Sequence, residues 1–244
     1  MKKKLQILIL CGSCISALSQ NVQVFYDLGR ARSGDVVPQK RNFFSLTYEM
    51  FKPDSFGYTY WFADVFFNSP DHFAGLGYTE IGRNIAIGKC PVQAHVEFNG
   101  GLYIDQPNDS SNYSAPIQNA WLAGVSWPVN FKNGAMFETQ ILYKYFPDAR
   151  KKADAQLTLV WYLPMLKNKL AFSGFFDIWS EEKPLTFRDT PPFKKRAVIY
   201  TEPQLWYNVN DHLSIGSELR IGYNFVYNST KLEIYPCMGA KWNF

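Results

Sequence analysis

Acidic side chains recur in this sequence at alternate positions of segments that are otherwise rich in apolar residues. They are Asp27, Glu49, Asp64, Glu80, Glu97, Glu138, Asp177, Glu202, Glu218 and Glu233. Few basic side chains occupy equivalent positions: Lys144, Arg220 and Lys241, with His95 as a partial fourth. Ion pairs cannot neutralise so large an excess of carboxylates. If these side chains face one interior, that interior tolerates neutral or cationic solutes and disfavours anions.

Aromatic side chains lie on the same faces of these segments as the carboxylates. An aromatic ring can stack on a flat base, which contributes about 1–3 kcal/mol per base, and a carboxylate accepts hydrogen bonds from hydroxyl groups. A candidate binding track of both residue types lies on three consecutive segments: Glu49, Tyr58, Tyr60, Phe62, Asp64 and Glu80. Each of these aromatic rings, taken alone, is also compatible with a side chain that only fills an interior.

Motifs for catalysis, metals or cofactors are weak. His95 begins HVEFNG, which resembles the His-x-Ser-Asn-Gly element of a barrel phospholipase, but Glu97 and Phe98 replace the serine and asparagine. After the N-terminal segment only Cys90 and Cys237 remain, without zinc-ligand spacing. Two unbridged thiols and a single disulfide are both open alternatives. We therefore predict no enzymatic activity, no metal site and no cofactor.

The segments that carry these residues alternate between apolar and polar side chains, which places one set on each face of a β-strand. In residues 43–52, for example, the apolar side chains stand at even positions, with Ser45, Thr47 and Glu49 between them. About twelve such segments follow one another. They span roughly 21–32, 42–52, 55–68, 73–87, 92–104, 116–127, 134–146, 153–163, 169–180, 197–208, 212–225 and 231–244, and the fourth is expected to bend at Gly82.

The connections between these segments alternate in length. Residues 52–55, 164–168 and 208–211 form short turns, whereas 105–115 and 181–196 are long and polar. This pattern is typical of outer-membrane barrels, in which short periplasmic turns alternate with longer extracellular loops. The sequence therefore predicts an all-β fold, a transmembrane antiparallel up-and-down β-barrel of about twelve strands. A soluble lipocalin-like barrel is disfavoured because it has only about eight strands.

The first residues form a predicted signal peptide, residues 1–19. Lys2–Lys4 precede an apolar stretch, and the small side chains of Ala17 and Ser19 place cleavage after Ser19. The remainder, 20–244, is predicted to be a single barrel domain in the cell outer membrane. The chain has 25 basic and 21 acidic residues. Without the N-terminal lysines these charges nearly balance, so we predict no binding to nucleic acid.

The last residues end an alternating segment on an aromatic side chain. Gly239, Trp242 and the terminal Phe244 resemble the C-terminal signal that the outer-membrane barrel assembly machinery reads. This machinery is therefore an expected partner during biogenesis.

Two neighbouring segments, 42–69 and 78–89, carry a more specific pattern. A Tyr-Glu-x-Phe strand end precedes a short turn and an aromatic strand with an aspartate and a Phe-Phe pair. The residues are Tyr48, Glu49, Phe51, Asp64, Phe66 and Phe67, followed by Glu80 and a shifted Arg83. This pattern resembles the Tsx family of nucleoside-specific channel-forming proteins. The resemblance implies a monomeric twelve-stranded barrel that passes nucleosides passively.

Two other functions remain open. The chain could be a non-transporting barrel that acts as a scaffold, receptor or adhesin, or, as a weaker alternative, an outer-membrane lipid-modifying enzyme. The loop at 181–196 could contact lipopolysaccharide phosphates, fold into the pore, or stay solvated. Membrane lipid and lipopolysaccharide are expected partners under each of these interpretations.

Overall fold

The computed structural model describes residues 19–29, 42–68, 74–105, 113–149, 152–183, 194–225 and 231–244. The regular elements in these ranges are β-strands: β1 (Ser19–Asp27), β2 (Phe44–Asp54), β3 (Gly57–Phe66), β4 (Leu76–Ala86), β5 (Gln93–Asp105), β6 (Tyr113–Asn130), β7 (Met136–Tyr145), β8 (Ala153–Met165), β9 (Leu170–Lys183), β10 (Lys194–Thr201), β11 (Gln204–Asn208), β12 (Leu213–Tyr223) and β13 (Leu232–Asn243). Within the described ranges, no helix has the length and apolarity needed to cross a membrane.

The strands form one closed antiparallel sheet. Strands adjacent in sequence pair with each other, except β10 with β11, and β1 also pairs with β13, where Asn21 lies opposite Asn243. Closure satisfies the backbone hydrogen bonds of the first and last strands, which an open sheet edge in lipid would leave unmade. The predicted antiparallel barrel is confirmed.

Strands β10 and β11 occupy one position in the barrel. Both pair with β9 and with β12. The register continues unchanged across the interruption, since Thr201 lies opposite Ile221 and Gln204 opposite Glu218. Pro203 lies between the two strands and has no N–H to donate to the ladder. The barrel therefore has 12 strand positions, in agreement with the predicted number.

The connections alternate as predicted. At one end of the barrel, the short-turn end, lie residues 55–56, 87–92, 131–135, 166–169 and 209–212. The strands are joined at the other end, the long-loop end, by the connections 28–43, 67–75, 106–112, 146–152, 184–193 and 224–231, which include the residues outside the described ranges. The bend expected at Gly82 is wrong, because β4 continues through it. The register shift lies between Asn99 and Gly101 on β5 instead.

The β2–β3 turn shows how local chemistry ends a strand. Phe56 donates its backbone N–H to Asp54 Oδ1 at 2.8 Å, which closes the turn. Gly57 follows with φ 139°, and a Cβ at this position would lie 2.1 Å from the carbonyl oxygen of Asn84. Only glycine permits both this conformation and this close approach.

The two faces of the wall differ in polarity. Val24, Trp121, Ile141 and Met238 point outward and are exposed, whereas inward side chains such as Gln23 are buried. A basic residue on the lipid face near the bilayer midplane costs about 2–4 kcal/mol, which explains why charges point inward. Cys90 is exposed and Cys237 is buried, and no disulfide joins them. The bridged alternative is therefore wrong. The predicted signal peptide lies outside the described residues except for Ser19.

Candidate functional site

A cavity of about 870 Å³ lies inside the barrel. Its lining includes residues of the turns 166–169 and 209–212, so it extends to the short-turn end. The complete predicted binding track lines it: Glu49, Tyr58, Tyr60, Phe62, Asp64 and Glu80. Other members of the predicted acidic and basic sets lining it are Glu97, Glu138, Asp177, Glu202, Glu218, Arg220 and Lys241. The barrel thus brings residues from eight strands, and Glu202 from between β10 and β11, to one space.

Aromatic rings form a strip along one wall of the cavity. The centroids of Phe51 and Tyr58 lie 4.8 Å apart, and those of Tyr60 and Phe62 lie 5.8 Å apart. Phe62 also contacts the ring of Tyr78, which lies outside the cavity lining, at 6.1 Å. The strip arises because β3 places an aromatic side chain at each of three consecutive inward positions. A flat solute can lie against it at several successive points.

Several cavity carboxylates accept hydrogen bonds from uncharged donors. Thr47 Oγ1 donates to Asp64 Oδ1 at 2.5 Å, and Thr158 Oγ1 donates to Asp177 Oδ1 at 2.5 Å. The Tyr78 hydroxyl donates to Glu80 Oε1 at 2.6 Å. Asn21 Nδ2 donates to Glu49 Oε2 at 3.0 Å. These bonds hold the carboxylates in place without neutralising them.

Arg220 forms ion pairs with two further carboxylates of the cavity lining, Glu218 and Glu202. Its Nε lies 2.7 Å from Glu218 Oε1 and 3.6 Å from Glu202 Oε1. Its Nη2 donates to Ser45 Oγ at 2.9 Å, which joins β12 to the non-adjacent strand β2. The guanidinium also lies over the ring of Phe66, 4.9 Å from its centroid. Arg220 therefore stabilises the wall and reduces the local negative charge.

Glu138 is the centre of a second connection between non-adjacent strands. It accepts hydrogen bonds from the Tyr58 hydroxyl on β3, from Ser126 Oγ at 2.6 Å and from Gln140 Nε2 at 2.7 Å. Asn84 Nδ2 also donates to Glu138 Oε1 at 3.1 Å. Neutral donors alone satisfy this carboxylate. Tyr58 and Glu138 were both predicted to face the lumen, but the hydrogen bond between them was not predicted.

His95 belongs to the same network. Its Nδ1 lies within hydrogen-bonding distance of Asn84 Oδ1, and its Nε2 lies 3.0 Å from Glu97 Oε2. The side chain is buried and faces the lumen. The histidine thus binds one residue of the neighbouring strand β4 and one of its own strand β5. Alternation places Asn84 and Ser126 on the inward faces of their strands. This placement is the sequence feature from which the network could have been predicted.

The remaining predicted lumen residues lie around the cavity. Lys241 lines it and holds its Nζ 4.3 Å from the ring of Trp206. Lys144 lies outside the lining, bonded to Gln156 Oε1 at 2.7 Å and positioned over Trp179. Asp27 and Glu233 are buried near the long-loop end and do not line the cavity.

Apolar side chains fill part of the lumen toward the long-loop end. The cluster consists of Ala120, Leu122, Leu142, Phe146, Trp179 and Val198. On β9 the cavity lining reaches Asp177 and the cluster follows at Trp179. This cluster was not predicted, because apolar residues were assigned to the lipid face. The alternation of β7 does indicate it, since Leu142 lies on the same inward face as Glu138 and Lys144.

Phe225 adds to this filling from the end of β12. Its ring stacks on Tyr200 with centroids 4.0 Å apart and planes at 20°. It also meets Trp179 edge-on at 6.0 Å. Phe25 packs against the fully buried Trp206 at 5.5 Å. Neither of these two rings belongs to the cavity lining, so they fill a further part of the lumen.

The residues of the predicted assembly signal have distinct environments. Gly239 faces inward, where a Cβ would lie 2.5 Å from Phe25 Cδ1. Trp242 faces outward and stacks on His212 with centroids 5.3 Å apart. Phe244 is exposed and donates its backbone N–H to Gln20 O at 3.1 Å. Gly239 therefore has a packing role, whatever its role in assembly.

No group of three or more His, Cys, Asp or Glu side chains in the described ranges is arranged to hold a metal ion. What these residues can do is bind. The cavity offers aromatic faces, carboxylate oxygens and amide groups, and it arranges them along a passage open to the short-turn end.

Solved outer-membrane barrels resemble this fold. The NanC porin aligns with a TM-score of 0.54 and 11% identity, over 92% of this chain and 100% of the porin. The translocator domain of the autotransporter NalP from Neisseria meningitidis aligns with a TM-score of 0.43 and 8% identity, over 100% and 98% of the two chains. The outer membrane protein Omp33 from Acinetobacter baumannii aligns with a TM-score of 0.41 and 9% identity, over 93% and 98%.

The likeness to the NanC porin is one of fold, since so low an identity does not carry a substrate across. No curated protein matches the sequence. A family described as a domain of unknown function, DUF5020, matches residues 19–244. The chain belongs to the DUF5020 family.

Proposed function

We propose that this barrel is an outer-membrane channel for the passive diffusion of small neutral or cationic solutes, and of nucleosides in particular. The observation that carries the proposal is the cavity itself. It combines a strip of aromatic rings with carboxylates held by neutral donors, inside a closed membrane barrel. Such a lumen selects by contact with the solute as well as by size.

Nucleosides fit this chemistry. A flat base can stack on Tyr60 or Phe62, and ribose hydroxyls can donate to the carboxylates of Asp64 and Glu80. Phosphorylated nucleotides are disfavoured because the lumen is negative. The resemblance of residues 42–69 to the Tsx family supports the same solute. We further propose that the barrel acts as a monomer in contact with lipid and lipopolysaccharide and is inserted by the barrel assembly machinery.

Planar-bilayer conductance of the refolded protein tests this function. Adenosine, thymidine, their monophosphates and small sugars are added in turn. We expect the nucleosides to block the current, and the nucleotides and sugars to leave it unchanged. Tyr60→Ala removes one stacking face, worth about 1–3 kcal/mol, so it should weaken the block by roughly 5- to 150-fold. Tyr143→Ala is the matched control, because Tyr143 is exposed on the outer face.

The outcomes separate the parts of the proposal. Current without nucleoside block keeps the channel and rejects the nucleoside. Equal block by nucleosides and sugars rejects stacking as the basis of selection. A folded barrel that carries no current rejects the channel.

A non-transporting barrel is the second candidate. The apolar cluster around Leu142 and Trp179, together with Phe225 stacked on Tyr200, favours it, because these side chains occupy lumen that a wide pore would leave open. The absence of enzymatic activity remains a prediction, which an assay of phospholipid hydrolysis by the refolded barrel would test.

A further inference from the structure

The polar lining of the cavity contains more acceptors than donors. Glu49, Asp64, Glu80 and Asp177 each accept a hydrogen bond from an uncharged side chain. Among the described residues, no basic side chain lies within the 4.0 Å ion-pair distance of these carboxylates. Each carboxylate has two oxygens and can accept several hydrogen bonds. They therefore have unused acceptor capacity.

Gln140 adds an independent observation. It lines the cavity and is only 7% exposed. Its Nε2 donates to Glu138, which fixes the orientation of the amide, and its Oε1 has no hydrogen-bond partner. A buried polar atom without a partner is costly. This oxygen, too, needs a donor.

The bases that line the cavity do not supply these donors. Arg220 donates to Glu218 and Ser45 through Nε and Nη2, and Lys241 lies over Trp206. Arg220 Nη1 and Trp161 Nε1 are buried without a hydrogen-bond partner among the described residues, but these two donors are fewer than the five acceptor groups described above. Lys167 and Lys169 stand on an exposed turn at the cavity mouth. His95 is bonded to Glu97 and Asn84. The remaining donors can come from water or from a solute, and a solute that carries several donors can satisfy several of these acceptors at once.

We infer that the solute that binds best in this cavity is a small organic cation, whose amidinium, guanidinium or ammonium group donates to the carboxylates while its flat face lies against the aromatic strip. Charge-assisted hydrogen bonds are about twice as strong as neutral ones. Aromatic rings add a cation–π attraction that a neutral solute lacks. This inference rests on the proposed channel and narrows its neutral or cationic solutes to organic cations.

Three probes of nearly equal shape test the inference. Benzamidine is a cation, benzamide is neutral and benzoate is an anion, and all are flat. We expect benzamidine to block the bilayer current at about a tenfold lower concentration than benzamide, and benzoate to leave it unchanged. Block by benzamide at the same concentration as benzamidine, or by benzoate, would overturn the inference.

Variants locate the binding. Asp64→Asn and Asp177→Asn keep the side-chain size, and each should raise the half-blocking concentration of benzamidine several-fold while that of benzamide changes little. Asp148→Asn is the control, since Asp148 is an exposed acid outside the cavity. If the control weakens the block as much as the cavity variants do, the cation binds elsewhere and the inference is wrong.

The test also separates the inference from the nucleoside proposal. Block by benzamidine without block by adenosine or thymidine keeps the inference and rejects the nucleoside. The reverse result keeps the nucleoside and rejects the inference. If no current flows, isothermal titration calorimetry of the same three probes with the refolded barrel in detergent micelles decides. Heat of binding for benzamidine alone supports the inference, and no heat for any probe rejects it.

Discussion

Replacing Arg220 with methionine should destabilise the barrel strongly. Arg220 and Glu218 are 5% and 3% exposed and lie 2.7 Å apart. Methionine retains apolar contact with Phe66 but leaves Glu218 buried without its charged partner and Ser45 without its donor. Loss of one partner of a buried ion pair costs about 3–5 kcal/mol. We expect the free energy of unfolding to fall by about that amount.

The assay is equilibrium unfolding of the refolded barrel in detergent micelles, followed by tryptophan fluorescence against guanidinium concentration. The double variant Arg220→Met/Glu218→Gln removes both charges. Because the two residues are in contact, its loss of unfolding free energy should be smaller than the sum of the two single losses by about 1–3 kcal/mol. Arg83→Met is the matched control, since its ion pair with Asp54 is exposed, and its unfolding midpoint should barely move. The reasoning is refuted if Arg220→Met unfolds within about 1 kcal/mol of wild type, or if the two single losses simply add.

Three further results are expected. A maleimide should label the exposed Cys90 in the folded barrel and reach the buried Cys237 only after unfolding, as mass spectrometry would show; labelling of both thiols at equal rates would contradict the fold. Leu142→Ala should lower the free energy of unfolding by about 2–5 kcal/mol, because it removes side-chain volume from the apolar cluster; the same unfolding titration measures it. Gly239→Ala should cost about 1–3 kcal/mol by crowding Phe25, and adding Phe25→Leu should recover part of that loss; a neutral Gly239→Ala would show that the glycine serves assembly alone.

Much of the fold could be predicted because a barrel strand has two chemically different faces. The alternation in residues 43–52 places Glu49 inward without any knowledge of tertiary contacts. The split of the tenth segment was missed because period-two alternation continues through Pro203, from Glu202 to Gln204, and the register does not change. The bend expected at Gly82 was wrong because a glycine within a strand also serves close packing, here beside His95.

The candidate site was only partly predictable. Parity showed that Tyr58 and Glu138 both face the lumen, but strands β3 and β7 are not neighbours, so their hydrogen bond depends on the width of the closed barrel. The apolar cluster was missed for a different reason. Leu142 inside the lumen and Ile141 on the lipid face are both apolar, so residue type alone does not assign the face at this point of β7.

The bonds that join non-neighbouring strands give the wall a mechanical property. A hydrogen-bonded sheet bends easily around its circumference, whereas a bond between Tyr58 and Glu138, or between Arg220 and Ser45, acts as a chord that fixes the distance between two parts of the ring. With chords at two places, the width of the cavity is set by a few side chains and depends little on the lateral pressure of the surrounding lipid. The barrel should therefore keep the same cavity in a thin bilayer as in a thick one.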